Sequence, residues 1–204
     1  MSGEIKVLKI SPTTGIDVTM GDSGDKFTFA SGSEVDLTGV TKTGFPAGGF
    51  TAASQWRLEA DFGVSTTSIP LKDDWVLPAS GDLPGSIGSV MAVETTNGWW
   101  TYPATGVWLV SIRGQIDGGG HNTFAQIETT DDGGTTQYLA AQMEQQSTYG
   151  GAPRMLTVDF MVDIANVTTH KTRFMSKTNT GNSYWQGDSA FNLTTATFLR
   201  LGDT

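Results

Sequence analysis

The amino-acid sequence predicts an all-β protein, and three observations support this fold class. No stretch of eleven or more residues keeps apolar side chains at helical i, i+3, i+4 and i+7 spacing without an intervening Gly or Pro. Short segments alternate apolar and polar residues instead, as strands do when one face of a sheet is buried. Clusters of Gly, Asn, Asp and Ser separate these segments. Regularly spaced short strands with such turns predict a β-sandwich or barrel.

The individual elements follow from the same alternation. The best helix candidate, Tyr138–Gln146, is too short and too rich in Gln to form a core helix. The Asp131-Asp132-Gly133-Gly134 sequence predicts a tight hairpin turn, because an Asp-Gly step tolerates the positive φ angles that such turns need. The clearest strands are Val107–Ile112, Thr123–Glu128, Met155–Ile164 and Ala196–Leu201.

Composition excludes several classes of function. The 204 residues include 12 Lys and Arg against 21 Asp and Glu, which gives a net charge of −9 and disfavours nucleic-acid binding. No run approaches the roughly 20 apolar residues of a membrane helix, and the first residues lack the apolar segment of a secretory signal. With no Cys, the chain cannot form disulfides or thiolate metal sites. We therefore expect a chain made inside a cell, without nucleic-acid partners or membrane insertion.

Residues 1–45 differ in pattern from the remainder. Short apolar pairs around Ile16–Met20, Phe27–Phe29 and Val35–Leu37 alternate with Gly, Ser and Asp turns. Two or three inward side chains per piece cannot close a core in one chain, so we expect several copies or a partner to supply the missing faces. The alternative is a β-meander packed on the main domain. Concentrated Gly and Pro in Thr43–Gly49 predict a hinge over residues 46–54, followed by a head domain over 55–204.

Two segments resemble known families. Gly98–Val110, GWWTYPATGVWLV, resembles a segment of virus-encoded tumour-necrosis-factor-like jelly rolls, which share their class with the globular heads of complement-type proteins. Gln126–Gly134, Leu156–Val162 and Asn192–Asp203 agree with that family in order. Ile16–Gly39 is similar to stalk repeats of bacteriophage fibre proteins.

The resemblance implies a homotrimer in which a β-rich stalk over residues 1–45 leads into three jelly-roll heads. In such trimers an aromatic cluster lines the threefold axis. No collagen-like stalk and no cytokine receptor-binding loop is recognisable, so a cytokine function is not implied. The candidates for the axis are Trp99, Trp100, Tyr102, Trp108 and Phe198.

Three other aromatic residues lie beside Gly-rich segments, which predicts that loops carry them. They are Tyr149, Tyr184 and Trp185. Exposed aromatics near Asn, Gln and Asp suit stacking on sugar rings or packing on a protein partner. The alternative is that these residues cap the sandwich.

Catalytic and metal-binding signals are weak. The carboxylate pairs Asp73-Asp74 and Asp131-Asp132 are typical of turns rather than of a glycosidase, which needs carboxyls on opposite sides of a sugar. Gly21–Asp25 lacks the spacing of a calcium loop. His121 and His170, without Cys, cannot build a structural zinc site on one chain without carboxylate help, and we expect surface or hydrogen-bonded histidines. Three copies of one His on a threefold axis could bind a metal or anion, but nothing in the sequence selects this alternative. We expect no enzymatic activity, no catalytic or metal site and no cofactor.

The sequence thus favours a structural protein of a bacteriophage particle. We expect residues 1–45 to attach to other virion proteins and to form a stalk, with the head projecting outward toward a host surface glycan or protein. A capsid decoration protein, whose arm clamps the shell, is the alternative. A polysaccharide-degrading tailspike is a lesser one.

Overall fold

The computed structural model describes residues 50–78, 85–118, 122–145, 153–179 and 183–203. The predicted arm and stalk over residues 1–45 lie outside the described residues, whereas Ala53 and Ser54 of the predicted hinge belong to the first strand. Fourteen strands occupy the described ranges: β1 (Ala53–Leu58), β2 (Phe62–Val64), β3 (Ile69–Pro70), β4 (Trp75–Val76), β5 (Ser86–Ile87), β6 (Ala92–Val93), β7 (Trp99–Thr101), β8 (Gly106–Asp117), β9 (Thr123–Thr130), β10 (Tyr138–Gln145), β11 (Arg154–Ile164), β12 (Lys171–Thr178), β13 (Ser183–Trp185) and β14 (Thr194–Gly202).

The strands form two antiparallel sheets. In sheet A, β8 is central: β11 pairs with one edge of it, while β14 and then β13 pair along the other edge. Strand β1 follows β14, with β4 and β5 beside β1 and β2 beside β13. Sheet B has the order β10-β9-β12-β7-β6, and β3 also pairs with β12. The described residues contain no helix, which confirms the all-β prediction.

The four clearest predicted strands are present. Each of the four clearest lies within or closely matches β8, β9, β11 or β14, and the rejected helix candidate forms β10. None of the described segments is a helix long and apolar enough to span a membrane.

The β9–β10 connection is longer than the tight turn that the sequence predicts. Gly133 and Gly134 do adopt positive φ angles, of 80° and 109°, but seven residues join the strands. The Asp132 carboxylate accepts hydrogen bonds from the Thr130 hydroxyl at 2.8 Å and from the Thr136 backbone N–H at 2.9 and 3.0 Å. These bonds give the longer loop a fixed shape, which the two-residue Asp-Gly signal does not specify.

Aromatic side chains from both sheets form the core between them. The ring of Trp100 lies 4.8 Å from Phe198, 5.2 Å from Trp56, 5.8 Å from Trp75 and 6.1 Å from Phe174, measured between centroids. Such edge and tilted contacts add to the stabilisation that burial of large rings provides. The core therefore closes within one chain.

Candidate functional site

The outer face of sheet A carries a continuous row of apolar side chains. Successive register pairs place Met161 opposite Leu109, Leu109 opposite Leu199, Leu199 opposite Ala53, and Ala53 opposite Ile87. We call these five residues the apolar row. Their side chains point away from the core, because residues on either side of them in each strand face inward. Met161 and Ile87, at the two ends, are 63% and 54% exposed.

A row of polar side chains lies beside the apolar row on the outer face of sheet A, a few residues away along each strand. Arg113 of β8 lies between Thr157 of β11 and Thr195 of β14, and Arg57 of β1 is opposite Thr195. Gln55 donates a hydrogen bond to the Thr197 hydroxyl at 3.1 Å, between this polar row and the apolar row.

Two shallow depressions open on this face. One has a volume of about 340 Å³ and is lined by Arg113, Met155 and Thr195 together with neighbouring amide side chains. The other, of about 260 Å³, lies along the apolar row between Leu199 and Ile87. Exposed apolar patches with polar surroundings are typical of protein interaction sites.

The outer face of sheet B has a different character, because its charged side chains find partners within the chain. Arg173 forms an ion pair with Glu128, with 2.7 Å between Nη2 and Oε2, and its guanidinium lies 4.4 Å from the ring centroid of Trp99. Lys171 pairs with Glu94 at 2.5 Å.

Two further contacts complete the outer face of sheet B. Lys177 lies over the ring of Phe124 at 4.8 Å, and Asn122 donates to Glu144 at 2.5 Å.

On sheet A, by contrast, the side chains of Arg113, Asp159 and Asp163 form no hydrogen bond or ion pair within the described ranges. The outer face of sheet A is therefore the stronger candidate for an interface.

The edge formed by β10 adds a second apolar surface. Tyr138, Leu139 and Met143 on this strand are 51%, 56% and 48% exposed. Among the described strands, β10 pairs only with β9, so it is an edge strand of sheet B. The candidate site thus has two parts, the outer face of sheet A and the β10 edge.

The fold of the two sheets is similar to that of solved structures. Comparison with solved structures finds an Eiger TNF from S. frugiperda with a TM-score of 0.55 and 15% identity, covering 76% of this chain and 94% of that one. Murine APRIL matches with a TM-score of 0.53 and 8% identity, covering 74% and 98%. The fold is a tumour-necrosis-factor-like jelly roll. Neither protein-family models nor curated proteins give a match to the sequence.

All five predicted axis aromatics are at most 3% exposed in the single chain. Four of them belong to the core of the single chain: Trp100, Tyr102, Trp108 and Phe198. Trp99 points to the outer face of sheet B but is only 3% exposed, because Arg173 and the β9–β10 loop cover it. Within one chain these residues therefore serve packing, and their axial role stays a prediction. Burial raises the pKa of Tyr102, whose hydroxyl lies 2.9 Å from that of Thr172.

The three predicted loop aromatics differ in burial and in whether the structure describes them. Trp185 is fully buried and donates from Nε1 to the Ser176 hydroxyl at 2.9 Å, so it caps the core and cannot stack on a ligand. Tyr184 is half-buried, and its hydroxyl donates to Asp117 at 3.1 Å, a contact that raises the Tyr184 pKa. Both belong to β13 rather than to a loop. Tyr149 lies outside the described residues.

The titratable residues that the sequence singles out form no catalytic cluster in the jelly roll. Asp73-Asp74 and Asp131-Asp132 lie in separate exposed loops, as the turn interpretation predicts. The His170 ring Nδ1 lies 3.1 Å from the Thr169 hydroxyl, as expected of a hydrogen-bonded histidine. No group of three metal-ligating side chains occurs in the described part of the chain. His121 and Gly21–Asp25 lie outside it.

Sequence reasoning missed the apolar row, although a signal was present. Val107-Trp108-Leu109-Val110 is apolar on both faces of β8, and a strand exposed on one side is expected to alternate. Trp108 and Val110 fill the core, so Val107 and Leu109 are the unexplained pair. An apolar run of this kind indicates that both faces of the strand are covered.

Proposed function

We propose that this chain is a homotrimeric structural protein of a bacteriophage particle, a fibre or spike whose jelly-roll head projects outward. One observation supports the trimer: the apolar row crosses five strands of sheet A, while on the outer face of sheet B the charged side chains Arg173 and Lys171 are paired within the chain. Covering the apolar row removes exposed hydrocarbon from water. A second copy of the chain is the occupant that the fold suggests.

The two apolar surfaces favour a ring over a face-to-face dimer. Packing two sheet A faces against each other about a twofold axis would leave the β10 edge with Tyr138, Leu139 and Met143 uncovered. Packing the edge of one copy against the face of the next buries both surfaces. Repeated head-to-tail contacts form a closed ring when the rotation that relates neighbouring copies divides a full turn evenly. Three copies agree with the arrangement that the sequence resemblance implies.

The phage role is supported by sequence resemblance alone. Residues 16–39 are similar to stalk repeats of phage fibres, and the head segment at Gly98–Val110 resembles virus-encoded jelly rolls. The role we propose is not catalytic, since the paired carboxylates lie in exposed loops and not across a cleft.

The trimer is tested by mass photometry of the full chain. We expect particles of three times the 21.7 kDa chain mass. Leu109→Asp introduces a charge in the apolar row and is expected to dissociate the trimer. Phe124→Asp is the matched control on the outer face of sheet B, where Lys177 can pair with the new carboxylate. A monomeric wild-type chain would overturn the proposal.

The virion role is tested by electron microscopy with antibodies against the purified chain. Label on tail projections of the phage that encodes it is the expected result. Label over the capsid would replace the fibre with a decoration protein, and particles without label would rule out a virion component.

A further inference from the structure

Arg113 occupies the middle of the face that we propose to be covered. It lies on the outer side of β8, opposite Thr157 and Thr195, and it is exposed. Its side chain has no hydrogen bond or ion pair within the described ranges. Gln115, Asn192 and Met155 are among the other residues that line the 340 Å³ depression around it.

A covered arginine needs an acidic partner. Removing a guanidinium from water is costly unless a carboxylate and further hydrogen bonds replace the lost hydration. The depression supplies amide and hydroxyl groups but no carboxylate. If the face is an interface, a carboxylate of the other copy can supply this partner.

The same face carries unpaired carboxylates at its edge. Asp159 and Asp163 are exposed on the outer side of β11, the edge strand of sheet A, and flank Met161 of the apolar row. We call Asp159 and Asp163 the acidic stripe. Neither carboxylate has a partner within the described ranges, although Asp159 is a diagonal neighbour of Arg113. The face is therefore acidic at its edge and basic at its centre.

We infer that the acidic stripe of one copy pairs with Arg113 of the next copy and fixes the register of the ring. This inference rests on the proposed trimer. Strand β11 lies beside β10 at the same side of the jelly roll. An edge-against-face contact therefore brings β11 of one copy toward the centre of the neighbour's sheet A, where Arg113 lies. Met161 then enters the neighbour's apolar surface while a flanking carboxylate reaches the depression. Complementary charges of this kind select the docking register and reject displaced ones.

Charge reversal on the full chain tests the pairing. Arg113→Glu is expected to raise the apparent dissociation constant of the trimer at least roughly tenfold, as is the double change Asp159→Arg with Asp163→Arg. The three changes combined in one chain are expected to restore trimers. Lys177→Glu, the same charge change on sheet B, is the control and should leave assembly intact. Far-ultraviolet circular dichroism checks that each variant is folded.

Mixing the two dissociated variants adds a geometric test. In a ring of three chains drawn from two variants, at least two neighbouring chains are the same variant. At their contact, residue 113 of one chain meets residues 159 and 163 of like charge in the next. Full trimers should therefore not form in the mixture. A twofold dimer could satisfy both contacts, and a stable heterodimer would overturn the head-to-tail arrangement.

The outcomes separate this inference from the proposed function. A monomeric wild-type chain would overturn both. A wild-type trimer that Arg113→Glu leaves unchanged would overturn the pairing while the trimer stands. If each reversal dissociates the trimer but the combined variant does not form trimers, the pairing is also overturned while the trimer stands.

Discussion

Trp99 and Trp100 are neighbours in the chain, yet their side chains lie on opposite sides of sheet B. Trp100 is fully buried between the sheets, with its ring 4.8 Å from that of Phe198. Trp99 lies on the outer face beneath the guanidinium of Arg173. The two-residue period of a strand dictates this separation and gives the two indoles different energetic roles.

The first prediction follows from that difference. Trp100→Ala is expected to lower the free energy of unfolding by about 3–5 kcal/mol, because it leaves a cavity among the rings of both sheets. Trp99→Ala is expected to cost less, since its ring is covered by the Arg173 side chain and the β9–β10 loop and is not enclosed between the two sheets. Urea denaturation at one fixed protein concentration measures both, because assembly also stabilises the folded chain. Equal losses would contradict the assignment of Trp99 to the outer face.

Gly114 marks a close approach within the core. A Cβ atom there would lie 2.5 Å from the Thr194 hydroxyl and 2.5 Å from the ring of Trp185. Gly114→Ala is therefore expected to destabilise the fold by roughly 1–3 kcal/mol through overpacking. Gly63→Ala is the matched control in strand β2, where a Cβ meets nothing within 4 Å. Thermal melts should show a lower melting temperature for Gly114→Ala than for Gly63→Ala. A similar decrease for both variants would indicate a backbone effect and not overpacking.

Asp132 links stability to pH. Hydrogen bonds from Thr136 and Thr130 lower the pKa of its carboxyl below the ordinary 3.8. A depressed folded-state pKa means that the ionised carboxylate stabilises the fold above the unfolded pKa, and that this contribution is lost as pH falls below it.

The urea midpoint measures this linkage. The midpoint of the wild type should exceed that of Asp132→Asn at pH 7, and the two should converge as the pH falls from about 4 toward 2. Asp131→Asn, which changes the exposed neighbour, should follow the wild type. A difference between wild type and Asp132→Asn that is independent of pH would contradict the role of the carboxylate.

Arg173 and Glu128 provide a double-mutant cycle on the outer face of sheet B. Their side chains are only 13% and 18% exposed, so removing one leaves the other in a poorly hydrated position. Arg173→Met and Glu128→Gln should each cost about 1–3 kcal/mol, and the double variant should cost less than their sum. Additive losses would show that the two groups do not stabilise each other.

Much of the fold could be predicted from local pattern. Alternation specifies strands such as Thr123–Glu128, and the same alternation requires that Trp99 and Trp100 face opposite ways. The length of the β9–β10 loop was harder to predict from sequence. It depends on the Asp132 hydrogen bonds and on the packing of Gly134 against Trp99. Those contacts join residues that local sequence rules do not connect.

The candidate site was harder to predict than the fold. Met161, Leu109 and Leu199 lie far apart in sequence, and only the register between β11, β8 and β14 brings them into one row. The sequence predicts surface roles for several aromatic residues, but most of these large rings are buried in the core. Trp185 illustrates this, since its Gly-rich neighbours suggested a loop and its side chain is fully buried.

The pairing of β1 with β14 has a mechanical consequence. These strands run antiparallel over five register pairs, from Ala53 opposite Leu199 to Arg57 opposite Thr195. Hydrogen bonds in such a ladder lie perpendicular to the strands. Tension applied at Ala53 along the strand axis therefore loads the bonds in shear, all at once, instead of peeling them one by one. A jelly roll pulled from this strand is expected to resist force well beyond what its hydrogen bonds would withstand if they opened in succession.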